Sequence, residues 1–184
     1  MSGSDLSPAL LVAMPQLLDP NFARTVVLLI DHDEGGTFGL VLNRGTDLPV
    51  AQLCASLGID WPGKDDRFVS WGGPVQPEHG WLLLGDGAPG SLEATDVMEG
   101  VRFSRSPEVR RGCAEAPPRK LLVFLGSAGW GPGQLREELI QGAWLVAPAT
   151  PEFVFDAPRE TLWESVVRRL GIDPATLVPT QGVN

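Results

Sequence analysis

Several things are scarce in this chain. Among 184 residues there are two cysteines, Cys54 and Cys113, and two histidines, His32 and His79. The cysteines lie far apart with no C-x-x-C motif, and the N-terminus has no basic region. The early apolar run "ALLVAMP" is broken by Pro15. No secretory leader or disulfide framework is therefore expected, and the simplest location is a reducing cytoplasm. Lys and Arg number 14 against 23 Asp and Glu, a net charge of −9. Adjacent arginines occur only at Arg110–Arg111 and Arg168–Arg169. A groove that neutralises phosphates along a duplex needs a clustered stripe, so direct nucleic-acid binding is disfavoured. No apolar run approaches the ~18–20 residues of a membrane-crossing helix. There is no tyrosine.

What the chain does have is 22 glycines, 17 prolines and six tryptophans. So much glycine and proline without a period or a low-complexity tract implies many sharp turns between short elements, in one domain with one core. Residues 1–8 read as a loose arm. "ALLVAMP" is a first strand, followed by a turn at "LLDPNF". Val26–Ile30 and Phe38–Leu42 are the arms of a hairpin around a polar loop ending Gly35-Gly36. The first arm is apolar without alternation, as in a strand covered on both faces.

Val50, Leu53, Cys54 and Leu57 follow helical spacing, with Asp47 as cap and Gly58 at the exit. Cys54 falls on the buried stripe and reads as a packed thiol. Phe68–Trp71 and Trp81–Leu84 form a further strand pair about a Gly-Gly-Pro turn, and Thr95–Met98 with Val101–Phe103 a short one. Ser106 caps and Pro107 opens a helix to about Cys113. "KLLVFLG" is a strand. A glycine loop then leads to a helix with Pro132 at its first position and Leu135, Leu139 and Ile140 on its inner face. "AWLVAP" and "EFVF" read as strands, and Leu162, Val166, Val167 and Leu170 line a last helix ended by Gly171. Strands outnumber helices and come mainly as hairpins. The class is α+β: a mixed, mainly antiparallel sheet, curled or covered, with three to four flanking helices.

The most distinctive stretch is "LLVFLGSAGWGPGQLREEL", Leu121 to Leu139. A Walker A loop requires Lys and Ser/Thr where Pro132 and Gly133 stand. The dinucleotide fingerprint fails at Gln134. A nucleophile elbow at Ser127 wants a small residue where Leu125 sits, and both histidines precede Ser127, against the chain order of that triad. The glycines and prolines read instead as backbone necessities, with Trp130 a packing anchor or a groove wall.

"LLVAMPQLLDPNF", "GLVLNR", "WGGPV" and "GSAGWGPGQLREEL" resemble the YqgE/AlgH family of bacterial proteins, from about Leu10 to Leu177. The resemblance implies a compact α+β fold, its mixed sheet folded into a pseudo-barrel, and a cytoplasmic protein without an established reaction. Members often carry the label of transcriptional regulator, which with this charge implies regulation through a partner protein. The chain departs from the family where an aromatic is frequent and Ser127 stands, and where a proline is frequent and Gly45 stands. It departs again where a histidine is frequent and Leu84-Gly85 stands.

Other groupings admit two readings. "DHDEGG", Asp31–Gly36, offers metal-type ligands, but neighbours on a strand point to opposite faces, so a solvated hairpin tip is expected and no metal site. His79 is a solvated loop histidine or an acid/base. Asn43 and Arg44 cap a neighbouring loop or contact a ligand. Trp71, Trp81 and Trp130 lie beside glycine-rich loops and either wall a groove or fill core; exposed indoles would favour a symmetric homodimer.

The expected function is non-enzymatic, with no cofactor and no catalytic residue: a regulatory or adaptor protein that binds a small ligand or a protein partner. Its groove is built from Pro15, Asp19, Pro20 and Phe22, from Asn43 and Arg44, from Trp71, Gly72, Gly73 and Pro74, and from Gly129, Trp130, Gly131, Gly133 and Gln134. The alternative is an enzyme of unrecognised type using Asp19, Arg44 or His79 around that groove.

Overall fold

In the computed structural model, residues 6–62, 65–88 and 92–177 are described; five residues of the expected N-terminal arm lie outside them. Strands β1 (Ala9–Ala13), β2 (Val26–Asp33) and β3 (Gly36–Val41) form an antiparallel meander. Their apolar runs do not alternate because both faces are covered. Leu10, Val12, Val26, Leu28 and Leu40 enter one core cluster, while Leu11, Ala13, Val27, Leu29 and Val41 enter another on the opposite face. The β2–β3 turn is tighter than the sequence implied. The ladder continues to Asp33↔Gly36, so most of the expected polar loop is strand. At this tip Gly35 donates to Asp33 Oδ1 at 2.7 Å and His32 Nδ1 lies 2.6 Å from Thr37 Oγ1.

Beyond β4 (Gly45–Pro49), helix α1 spans Val50–Ser56. Asp47 is not its cap: it belongs to β4, and Pro49 occupies the cap position with no side-chain bond. Gly58 does end the turn, with φ +73. Strand β5 (Phe68–Trp71) and β6 (Val75–Leu84) are not partners of each other. Both pair with β9 (Leu121–Trp130), β5 in parallel on one edge and β6 antiparallel on the other. The Gly-Gly-Pro segment therefore crosses over β9 instead of closing a hairpin. β7 (Thr95–Met98) and β8 (Val101–Ser104) pair as expected. Helix α2 (Pro107–Glu115) is capped by Ser106 Oγ, which accepts from Val109 N, with Pro107 at its start.

Three further expectations change toward the C-terminus. The "glycine loop" after β9 is largely strand, since β9 runs on to Trp130. Helix α3 is Gln134–Ile140, capped by Gly133 at φ +76, so Pro132 precedes it and Ile140 points outward. Strand β10 (Trp144–Pro148) is present, but "EFVF" lies in a π-helical turn, Glu152–Asp156. Helix α4 (Leu162–Arg169) packs Leu162, Val166 and Val167 inward.

The ten-stranded sheet has the order β10-β1-β2-β3-β9-β6-β8-β7, with β5 also on β9 and β4 on β5. It is mixed and mainly antiparallel, and four α-helices cover it. Among the described residues the strand path is open, ending at β10 and β7; the closure implied by a pseudo-barrel is not part of it. Among the described residues no helix is long and apolar enough to cross a membrane.

Candidate functional site

The centre of the distinctive stretch is an interlock of two backbones. Gly73 has φ +146 and Gly126 φ +78. A Cβ on Gly73 would land on the Ser127 carbonyl, and one on Gly126 would land on the Gly73 carbonyl. Gly72 likewise presses on the Gly126 carbonyl. Its amide donates to Leu125 O at 2.9 Å and its carbonyl accepts from Val41 N at 2.8 Å, so the crossover stitches β3 to β9.

Gly126 also reverses the side-chain alternation of β9. Before it, Leu121 and Val123 face the cluster under α1 and α2, while Phe124 faces the α4 side. After it, Ala128 and Trp130 face the side away from α4. A left-handed residue within a strand does this by inserting one step of opposite curvature. Ser127 is buried, its hydroxyl donating to Val75 O at 3.4 Å. It is neither exposed nor beside a base.

Of the predicted groove residues, Asn43 and Arg44 serve the loop that precedes β2. Arg44 donates to the carbonyls of Pro20 (2.6 Å) and Ala23 (2.9 Å) and lies over the Trp71 ring at 5.4 Å. Asn43 accepts from Val26 N and donates to Arg24 O, both at 2.9 Å. Asp19 closes its own turn, with Asn21 N donating to Oδ1 at 2.9 Å. Gln134 Oε1 accepts from Gly131 N at 3.0 Å. Of the two readings of Asn43 and Arg44, these bonds are the capping one.

Phe22, Trp130 and Trp144 form an aromatic trio with centroids 5.7–6.1 Å apart. Trp130 is only 6% exposed, so it anchors the loop and walls no open groove. Trp81 lies in a different cluster with Phe38 and Phe103. Five of the indoles are buried and Trp71 is half-buried, so the premise for an indole-mediated dimer is absent.

Sequence reasoning missed two participants. Trp144 was read only as strand, because a strand signal does not say what its side chain meets. Arg24 adopts φ +55, pairs with Glu164 and stacks on Trp163 at 4.3 Å; an exposed arginine in a turn gives no local sign of this. Asn43→Ala strands the buried Val26 N–H and frees the Arg24 carbonyl. It is expected to cost about 1–3 kcal/mol, read as a lowered urea midpoint.

The ionisable residues of the enzymatic alternative do not converge. His79 lines a cleft that contains neither Asp19 nor Arg44, and Arg44 is already engaged with two carbonyls. No group of three or more His, Cys, Asp or Glu gathers in ligand geometry among the described residues.

Both thiols are buried and unpaired. Burial pushes the Cys113 thiol up to about 11, against the opposing pull of Arg67 and Arg102. Its thiol stays protonated in the fold, whereas the unfolded thiol ionises from about pH 9. A raised folded value means stability is whole below pH 9 and lost as pH rises toward 11. The loss is roughly 2–3 kcal/mol, and Cys113→Ala removes that slope from the denaturation-versus-pH profile.

Comparison with known proteins places this geometry. Residues 10–175 match the AlgH-like family model. A UPF0301 protein of Myxococcus xanthus is 41% identical over 98% of this chain and 99% of its own length. One from Xanthomonas campestris is 37% identical over 96% of this chain and 95% of its own. The solution structure of the AlgH protein from Pseudomonas aeruginosa superposes with TM-score 0.78 at 35% identity, covering all of this chain and 98% of the other. A crystal structure from Corynebacterium diphtheriae gives 0.74 at 26% identity, covering 92% and 89%. On this match across nearly its whole length, the chain belongs to the AlgH-like family.

Proposed function

We propose that this protein is a cytoplasmic regulatory or adaptor protein that acts by binding, without catalysis, and that any effect on transcription runs through a partner. One observation carries the reading. The loop Met14–Arg24 is fixed by Asn43, Arg44 and the aromatic trio, yet it presents Leu18 at 76% exposure. Ile140 on α3 is equally exposed. The bond from Gln16 Nε2 to Gly142 O (2.6 Å) joins the loop to the end of that helix. Apolar side chains held outward on a rigid loop suit recognition of a protein or peptide surface, and the backbone at Gly129, Gly131 and Gly133 is exposed as well. The acidic chain supports the same reading, since it disfavours a direct contact with DNA.

The test is native mass spectrometry of gently purified protein beside the double variant Leu18→Asp/Ile140→Asp. Both positions are solvent-facing, so the variant keeps its thermal midpoint. A partner carried by the wild type and lost from the variant supports the reading. A wild type that carries no partner, or one that the variant carries equally well, overturns it.

A further inference from the structure

Opposite Gly126, strand β6 leaves the ladder. Its register with β9 passes from Val75↔Ser127 to Gly80↔Leu125, so Gln76–His79 bulge outward. Gln76 sits at φ +46, a conformation that costs a residue with a side chain. Between this bulge, the end of β8 and helix α2 lies a cleft of about 480 Å³, lined by Gln76, His79, Gly80, Trp81, Arg105 and Arg110. That size is within the range of small-molecule sites.

The composition of the cleft runs against that of the chain. On a protein of net charge −9, this lining holds two arginines and a histidine and no carboxylate. Neither Arg105 nor Arg110 forms an ion pair among the described residues. Arg105 lies over the Trp81 ring at 5.7 Å and over Phe103 at 6.0 Å, which sets its fork at the cleft wall. Arg110 projects from α2 to Gly80, where an added Cβ would stand 3.1 Å from its Nη2; the glycine leaves that guanidinium room. Trp81 lines the cleft with its ring and keeps a buried indole N–H close behind it, which makes that N–H a reporter of the site.

From these groups we infer that the cleft binds a phosphate-bearing small molecule. Two guanidiniums, an imidazole and a side-chain amide line the one cleft, and each can donate to a bound anion. A tetrahedral dianion accepts from two arginine forks at once, whereas a single carboxylate is satisfied by one. The cleft shares no residue with the Leu18–Ile140 face and does not rest on the adaptor reading.

The experiment is a titration of the full chain with sodium pyrophosphate at constant ionic strength, followed by the Trp81 indole N–H resonance, which Trp81→Phe identifies. A saturable shift with a Kd below about 1 mM is expected. Arg105→Gln and Arg110→Gln should each weaken it about tenfold or more, while Arg168→Gln leaves it unchanged. Arg105 is exposed, so its variant keeps the fold and decides the matter even if Arg110→Gln does not. A shift that stays linear to about 10 mM, or an affinity indifferent to Arg105, overturns the inference. Adenosine monophosphate and inorganic phosphate form the second arm. Tighter binding of the former identifies a phosphorylated organic ligand, and equal binding identifies the free ion.

Discussion

Gly73→Ala is expected to prevent folding, or to cost more than about 3 kcal/mol, because two penalties fall on one atom. The backbone at φ +146 is a conformation open essentially to glycine. The new methyl would also occupy the Ser127 carbonyl, which is strand backbone paired with Val75 of β6 and not free to retreat. Gly126→Ala should behave alike, since φ is +78 and its methyl meets the Gly73 carbonyl. The control is Gly133→Ala. It has nearly the same φ, +76, but nothing within 4 Å of the added methyl. It isolates the conformational part, about 1–2 kcal/mol. Urea midpoints of the three variants separate the effects. If Gly73→Ala lost no more than Gly133→Ala, the interlock would not be what holds β3, β5 and β9 together.

Trp130→Ala is expected to cost about 3–5 kcal/mol, as removal of a large buried aromatic does. The cavity would open between Phe22 and Trp144, whose rings pack on the indole at 6.1 and 5.8 Å. Phe22 amide and carbonyl bonds tie the Asp19–Thr25 turn, so the damage should spread to the loop that carries Leu18. Trp130→Phe keeps part of the contact and should lose less than half as much. Gln134→Ala, a few residues on at the surface, removes only one exposed bond to Gly131 N and should stay within about 1 kcal/mol. A loss of binding in Trp130→Ala would therefore report the fold. A test of the recognition face belongs at Leu18 and Ile140, where stability and binding come apart.

The positions at Gly45, Gly85 and Ser127, where the resemblance implied other residues, are closely packed. Gly45 leaves space for Arg159, whose Nη1 stands 3.0 Å from where a Cβ would be. That arginine donates to the buried Ser70 hydroxyl at 2.6 Å. Gly85 faces Lys120 and Phe155 in the same crowded way. Ser127 sits where the β6 bulge and the Gly73 crossover leave little room.

The sequence alone determined whatever is decided within a few residues. The run Leu10–Ala13 announced a strand, and Val26–Ile30 one covered on both faces, because its apolar residues do not alternate. Ser106-Pro107 announced the start of α2, since a cap and a fixed φ act locally. The string "GSAGWGPGQLREEL" carried the family, and the acidic balance weighed against DNA. Tertiary structure decided the rest, and in each case the deciding contact is distant along the chain. Whether β5 and β6 pair with each other or flank β9 depends on Gly73 meeting Ser127. The extent of β9 through its glycines depends on Thr37 and Phe38 offering a ladder to Trp130 and Gly129. Asp47 lost its cap role to a ladder between β4 and β5, and "EFVF" wound into a helical turn although its residues favour strand. Arg44 was legible as polar and anchored, but not the carbonyls it would reach. The cleft at Trp81 was invisible for the same reason: β6, β8 and α2 each supply part of it, and no local pattern records a meeting of three elements.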